Sequence, residues 1–138
     1  MTLRFVLDTN VLSELVRPAP DGSVTNRIAG AVGTMGVAAP TLHELRFGAE
    51  RLVASRRRTM LVAYFDRVAD TFAVLPYDRA AALWHARERA RLAAQGFVPS
   101  FVDGQIAAVA ATCALVLVTR NVRDFARYEG LTVESWHT

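Results

Sequence analysis

The chain alternates between short apolar runs and longer segments with helical periodicity, and this alternation restricts the fold more than any other feature. The apolar runs predict strands at 5–7, 35–40, 72–76 and 114–119, with a further edge strand at 130–135. The periodic segments predict helices at 10–17, 23–32, 41–53, 55–71, 78–94, 100–113 and 121–128. Because helices separate successive strands, the pattern predicts crossover connections and a parallel sheet of four to five short strands, with helices on both faces.

Length and composition indicate one globular unit. The chain has 138 residues, of which 52% are hydrophobic, so we expect a single domain over 1–138 with a substantial core. No apolar run approaches the roughly 18 residues that a membrane span needs. The apolar stretch near the N-terminus is too short for a secretory signal, and we expect a cytoplasmic protein without membrane association.

Four acidic residues occupy comparable places in this pattern. Asp8 follows the first predicted strand, Glu44 and Asp103 lie in the first turns of two helices, and Asp124 follows the fourth strand. In a parallel α/β sheet, the carboxyl ends of the strands and the N-termini of the following helices share one edge. The four carboxylates are therefore expected to converge at that edge.

Helix capping is the alternative explanation for these acids. A cap residue followed three positions later by an acid is the spacing of a capping box, and helix N-termini favour acids in any case. Three such pairs are present: Thr41 with Glu44, Ser100 with Asp103, and Asn121 with Asp124. Glu88, inside a helical pattern, is expected on a solvated helix face.

Carboxylates that converge need a cation, because like charges repel and raise one another's pKa. All-oxygen ligands favour a hard ion, so Mg²⁺ is expected and Mn²⁺ is possible. Magnesium held by carboxylates typically serves phosphate chemistry. All 16 basic residues are arginines, and Arg46, Arg120 and Arg123 are candidates to bind backbone phosphates.

The absence of lysine excludes three other classes that place an aspartate at a strand end or bind phosphate. Haloacid-dehalogenase-type phosphatases and response-regulator receivers both need a lysine, and so does the P-loop motif. The first class also needs a second aspartate two residues after the first, where this chain has Asn10.

Four segments together resemble the PIN-domain ribonucleases, especially the VapC-type toxins of toxin–antitoxin pairs. The segments are LDTNVLSEL, LHELRFGAERL, DGQIAAVAA and LVTRNVRDF, in the order of that family. The resemblance implies a PIN-like three-layer α/β/α sandwich. It also implies a metal-dependent endoribonuclease that hydrolyses phosphodiesters and leaves 5′-phosphate and 3′-hydroxyl ends.

The resemblance also implies roles for individual residues. Asp8 and Asp103 would be the main metal ligands, Asp124 would complete the site directly or through water, and Glu44 would bind a second ion or orient the attacking water. Four polar residues would flank the pocket: Thr9, Asn10, Thr119 and Asn121.

The same family implies a homodimer and a cognate VapB-type antitoxin, in a heterotetramer or larger assembly. The C-terminal segment of the antitoxin would cover the acidic site, with an arginine reaching the carboxylates. Two other functions remain open. One is a structure-specific DNA nuclease of the same fold, and the other is a non-catalytic PIN scaffold. The RNA-cleaving toxin is the first hypothesis because all four acids are present.

Overall fold

The computed structural model describes residues 2–138, and its elements follow the alternation that the sequence predicts. Five strands alternate with seven helices, and the predicted edge strand is present. In chain order the elements are β1 Phe5–Leu7, α1 Thr9–Glu14, α2 Gly22–Gly30, β2 Met35–Ala38, α3 Ala39–Glu50, α4 Arg56–Thr71, β3 Ala73–Leu75, α5 Arg79–Ala94, α6 Phe101–Thr112, β4 Val116–Val118, α7 Val122–Phe125 and β5 Thr132–Glu134.

All the strands are parallel, in the order β3-β2-β1-β4-β5. The chain therefore builds outwards from β1 on one side through β2 and β3, and then on the other side through β4 and β5. The strand order therefore reverses between β1 and β4, where Leu7 is paired with Val118, and this position is a topological switch point. In open parallel sheets, ligands bind beyond the carboxyl ends of the strands at such a switch point.

The sheet separates two hydrophobic cores. Alternate residues of a strand point to opposite faces, so Phe5 and Leu7 join one core while Val6 joins the other. The first core contains side chains from α1, α2, α3 and α4, and the second contains side chains from α5, α6 and α7. The predicted three-layer α/β/α sandwich is confirmed. Among residues 2–138, no helix combines the length and the apolar character needed to cross a membrane.

Candidate active site

Asp8 lies at the switch point, directly after β1, and is only 4% exposed. Its Oδ1 accepts a hydrogen bond of 2.8 Å from the amide of Thr9, and its Oδ2 accepts one of 2.8 Å from the hydroxyl of Thr119. Thr119 is itself completely buried and follows β4. The neighbouring strands β1 and β4 are therefore followed by a hydrogen-bonded pair of polar side chains.

Two asparagines extend this pair into a network across β1 and β4. The Oδ1 of Asn10 accepts a hydrogen bond of 2.9 Å from the amide of Arg120, and its Nδ2 lies 3.4 Å from the Oδ2 of Asp8. The amide of Asn121 donates to the hydroxyl of Thr119 at 3.1 Å. The structure thus brings together the four polar residues that the sequence placed around the pocket.

Asp103 is the acid whose ionisation the fold changes most clearly. It lies in the first turn of α6 and is half-buried. Burial raises the pKa of its carboxyl group to about 6, and the neighbouring carboxylates of Asp8 and Asp124 contribute to the same shift. Three of the four predicted acids therefore interact electrostatically, as the convergence at one edge requires.

Asp8 does act as the N-cap of α1, but capping boxes do not account for Glu44, Asp103 and Asp124. The hydroxyl of Ser100 accepts a hydrogen bond of 3.3 Å from the amide of Asp103, so it caps α6. The hydroxyl of Thr41 is buried without a partner, and the side chain of Asn121 makes no cap bond to α7. In the part of the chain that the structure describes, none of the three carboxylates predicted to complete a capping box accepts a backbone hydrogen bond.

The side chains of Glu44 and Arg46, both on α3, interact with residues outside this group. Glu44 lines a separate cavity of about 300 Å³ between α1, α3 and α4, and its Oε1 lies 3.7 Å from the ring of His43. Arg46 forms ion pairs with Asp66 and Glu50. Neither contact links the two α3 side chains to the other predicted site residues.

A cleft of about 410 Å³ opens beside the carboxylates of α6 and α7. Both Asp103 and Asp124 line it, together with Arg123, Arg127 and Phe97. Among residues 2–138, the guanidinium groups of both cleft arginines, and that of Arg120, form no ion pair. Negative and positive groups therefore lie together here without neutralising one another.

Arg127 and Phe97 line this cleft, and the sequence analysis identified neither of them as a site residue. In the helix predicted over 121–128, Arg127 follows Asp124 by three positions and would share one face with it, so this spacing could have identified it, although α7 ends at Phe125 in the structure. Phe97 lies in the loop between α5 and α6, and nothing in the spacing of the sequence links it to the acids.

The donor chemistry of this site fits a hard divalent cation. The side chains of Asp8, Asp103 and Asp124 offer only oxygen atoms as ligands. Burial raises the pKa of Asp103 most, and the two neighbouring carboxylates raise it further through a repulsion that a cation would relieve. Residues 2–138 do not, however, contain three or more His, Cys, Asp or Glu side chains already gathered at ligand spacing. The three carboxylates are therefore neighbours rather than a closed ligand set.

Comparison with known proteins agrees with the fold. The profile of the PIN domain matches residues 5–131. The tRNA(fMet)-specific endonuclease VapC of Shigella flexneri is 37% identical over 134 residues, which are 97% of this chain and 98% of that protein. The alignment thus extends over almost the whole length of both sequences.

Solved structures give the same result. DNA-bound VapBC from Salmonella typhimurium matches with a TM-score of 0.87 and 33% identity, over 97% of this chain and 98% of that one. VapBC-5 from Mycobacterium tuberculosis, a member of the VapBC family of toxin–antitoxin systems, matches with a TM-score of 0.71 and 32% identity, over 99% and 98% of the two chains. The chain therefore belongs to the PIN-domain family, within its VapC ribonuclease branch.

Proposed function

We propose that this chain is a Mg²⁺-dependent endoribonuclease that acts as the toxin of a toxin–antitoxin pair. The observation that supports the proposal is the electrostatic interaction of the half-buried Asp103 with the carboxylates of Asp8 and Asp124, at the switch point of a VapC-type fold. The curated relative from Shigella is named for cleavage of a tRNA, and RNA is the substrate class that we propose here.

A divalent metal ion is a general requirement of PIN-domain ribonucleases. We propose Mg²⁺, with Mn²⁺ as a substitute, held by Asp8, Asp103 and Asp124. Such an ion polarises a phosphoryl oxygen and makes water a stronger acid. The ion would also hold Asp103 in its ionised form, because a nearby positive charge lowers the pKa of a carboxyl group.

The residues of the chain then orient the reactants. The bonds from Thr9 and Thr119 fix the carboxylate of Asp8, so its direction is set before substrate binds. We propose that Glu44 orients the attacking water and that Arg120 and Arg123 bind phosphates of the RNA. The water would lose a proton as its oxygen bonds to phosphorus, and the departing 3′ oxygen would gain a proton as its bond to phosphorus breaks, which leaves 5′-phosphate and 3′-hydroxyl ends.

We further propose a cognate VapB-type antitoxin as partner. The Salmonella and Mycobacterium relatives described above are VapBC assemblies, and this chain covers almost all of their toxin chains. The C-terminal segment of the antitoxin would cover the carboxylates and supply an arginine to them, in a heterotetramer or larger assembly built on a toxin homodimer. We also propose that residues 1–138 act as a single PIN domain and that the protein acts in the cytoplasm, where its proposed RNA substrate would be available.

The direct test is cleavage of total RNA by the purified chain with Mg²⁺. We expect activity in Mg²⁺, none after EDTA, and recovery when Mg²⁺ is returned. Asp8→Asn and Asp103→Asn should each lose at least ~100-fold in rate, because each removes a charged metal ligand. Asp70→Asn, at an exposed position of α4, is the matched control and should cleave like the wild type.

Thermal melts of each variant separate loss of chemistry from loss of folding. Cleavage that survives EDTA, or that survives in a folded Asp8→Asn/Asp103→Asn double variant, would rule out the proposed mechanism. The toxin role has its own test. Induced expression should arrest bacterial growth, and coexpression of the antitoxin or the Asp103→Asn change should relieve the arrest. Unimpaired growth with folded, active protein would contradict that role.

A further inference from the structure

The cleft beside the carboxylates contains an arginine stacked on an aromatic ring. The guanidinium carbon of Arg127 lies 3.2 Å from the centroid of the Phe97 ring. A guanidinium over a phenylalanine ring is attracted by the π face, and its N–H groups form a planar fork whose geometry matches a phosphate. The stack therefore leaves Arg127 able to form bidentate hydrogen bonds.

The backbone of Arg127 is fixed by a second arginine. Its carbonyl accepts a hydrogen bond of 2.7 Å from Arg91, which forms bonds of 2.7 and 2.9 Å to the buried carboxylate of Glu88. Glu88 also accepts a hydrogen bond of 2.7 Å from the amide of Glu129. Glu88 was expected to face solvent, but it is 8% exposed and organises this turn instead.

Phe97 is fixed as firmly as the arginine that it supports. The chain turns at Gly96, where φ is 85°, and the amide of Phe97 then donates a hydrogen bond of 2.9 Å to the carbonyl of Leu92. The inner face of the ring packs against the second hydrophobic core. Arg127 is thus held at both its carbonyl and its guanidinium, so little side-chain entropy remains to be lost on binding.

The charges of the cleft indicate the ligand. Arg127 lines the same cavity as Asp103 and Asp124, yet within residues 2–138 it pairs with neither of them nor with any other acid. We propose that Arg127, held on Phe97, binds a backbone phosphate of the RNA next to the phosphate that is cut. This assignment rests on the proposed ribonuclease function and names a contact within its substrate path.

The test measures RNA binding without cleavage. A fluorescent single-stranded RNA is titrated with the Asp103→Asn protein in Mg²⁺ over a series of salt concentrations. One phosphate contact contributes about 0.7 to the slope of log affinity against log salt for a single strand, which is about fivefold in affinity near 0.1 M salt. Arg127→Gln in this background should lower the slope by about that amount and weaken binding about fivefold.

Two further variants make the test specific. Phe97→Leu keeps the charge but removes the stack, so we expect weaker binding with nearly the same slope. Arg4→Gln is the matched control, because Arg4 also lies over a phenylalanine ring, that of Phe5, at 5.0 Å, but at the opposite edge of the sheet. It should change neither affinity nor slope.

Equal slopes for Arg127→Gln and Arg4→Gln would overturn the phosphate contact while leaving the ribonuclease proposal intact. Weaker binding of the purified antitoxin with unchanged RNA binding would also overturn it and would assign Arg127 to an acidic peptide. Absence of RNA binding by the parent protein, with no cleavage by the wild type, would instead overturn the ribonuclease proposal itself.

Discussion

Asp8 is an almost fully buried carboxylate, and its surroundings explain how the fold tolerates it. Burial of an isolated charge is costly, whereas hydrogen bonds to the ionised form offset much of that cost. Both oxygens of Asp8 accept such bonds, from the amide of Thr9 and from the hydroxyl of Thr119. The same two bonds fix the direction in which the carboxylate would face a metal ion, so stability and function both depend on them.

Valine has nearly the shape of threonine but lacks the hydroxyl group, so Thr119→Val removes the hydrogen bond to Asp8 while keeping the side-chain shape. We expect Thr119→Val to lower the free energy of unfolding by about 1–3 kcal/mol, because one oxygen of a buried carboxylate loses its donor. RNA cleavage should fall by roughly 10- to 100-fold, since the metal ligand is less well oriented. Urea melts and cleavage assays measure the two effects.

Thr119→Ser retains the hydroxyl and is the control. It should keep most of the activity and lose only the stability that belongs to one methyl group, about 1 kcal/mol. If the serine and valine variants cleave RNA equally well, the hydrogen bond to Asp8 has no role in orienting the site.

The sequence was sufficient to predict that Asp8, Asp103 and Asp124 lie near one another, because the alternation of strands and helices determines where each strand ends. Asp8 and Asp124 follow strands, and Asp103 begins a helix, so one sheet edge collects them. It was not sufficient for Arg127 and Glu88, whose roles depend on contacts across elements. The sequence pattern does not show whether an acid or an arginine in a helix faces solvent or contacts another residue.

Helices α5 and α6 approach each other closely at Gly104. A Cβ atom placed on Gly104 would lie 2.1 Å from the Nε2 atom of His85, well inside contact distance. His85 is 3% exposed, and its Nδ1 is 2.8 Å from the hydroxyl of Tyr77. The sequence predicted both helices, but no pattern shows that this glycine accommodates this histidine, because helix packing is decided by side chains that meet only in the folded protein.

Gly104→Ala should therefore destabilise the protein although alanine is the better helix former. We expect the free energy of unfolding to fall by about 1–3 kcal/mol, because the new methyl group overpacks the contact with His85. Gly48→Ala is the control: Gly48 lies within α3 with nothing near its Cβ position, so this change should stabilise the protein by about 0.5–1 kcal/mol. Urea melts of both variants measure the difference.

A double variant tests whether His85 is the cause. Adding His85→Ala to Gly104→Ala should cost less than the sum of the two single changes, because the overlap disappears with the imidazole. Strictly additive effects would show that Gly104 is required for another reason, such as the backbone of the first turn of α6 next to Asp103.

The segment after β5 contacts elements from the N-terminal part of the chain, at β1 and at the start of α2. Trp136 lies outside the span matched by the family profile, yet it is 1% exposed and packs edge-to-face on Phe5 with ring centroids 5.0 Å apart. Two residues later, Thr138 donates hydrogen bonds of 2.9 and 2.8 Å to the carboxylate of Asp21 at the start of α2. The segment after β5 therefore stabilises the first core from outside the sheet.

This attachment should make stability depend on pH. The amide and hydroxyl of Thr138, assisted by the amides of Val24 and Ser23, lower the pKa of Asp21 from 3.8 to about 2. A carboxyl group whose folded pKa is depressed stabilises the protein above its unfolded pKa, and the stabilisation is lost as pH falls through the folded value. The contribution of Asp21 should thus be complete above about pH 4 and should decline between pH 4 and pH 2.

Asp21→Asn isolates this contribution, since asparagine can still cap α2 but carries no charge. The wild type should be the more stable protein at pH 7, and its advantage in urea melts should largely disappear by pH 2. Glu14 has a lowered pKa as well, chiefly through the amide of Asp21, but that backbone donor persists in both proteins and its effect cancels in the difference. A gap in unfolding free energy that is as large at pH 2 as at pH 7 would show that the charge of Asp21 is not what holds the C-terminal segment in place.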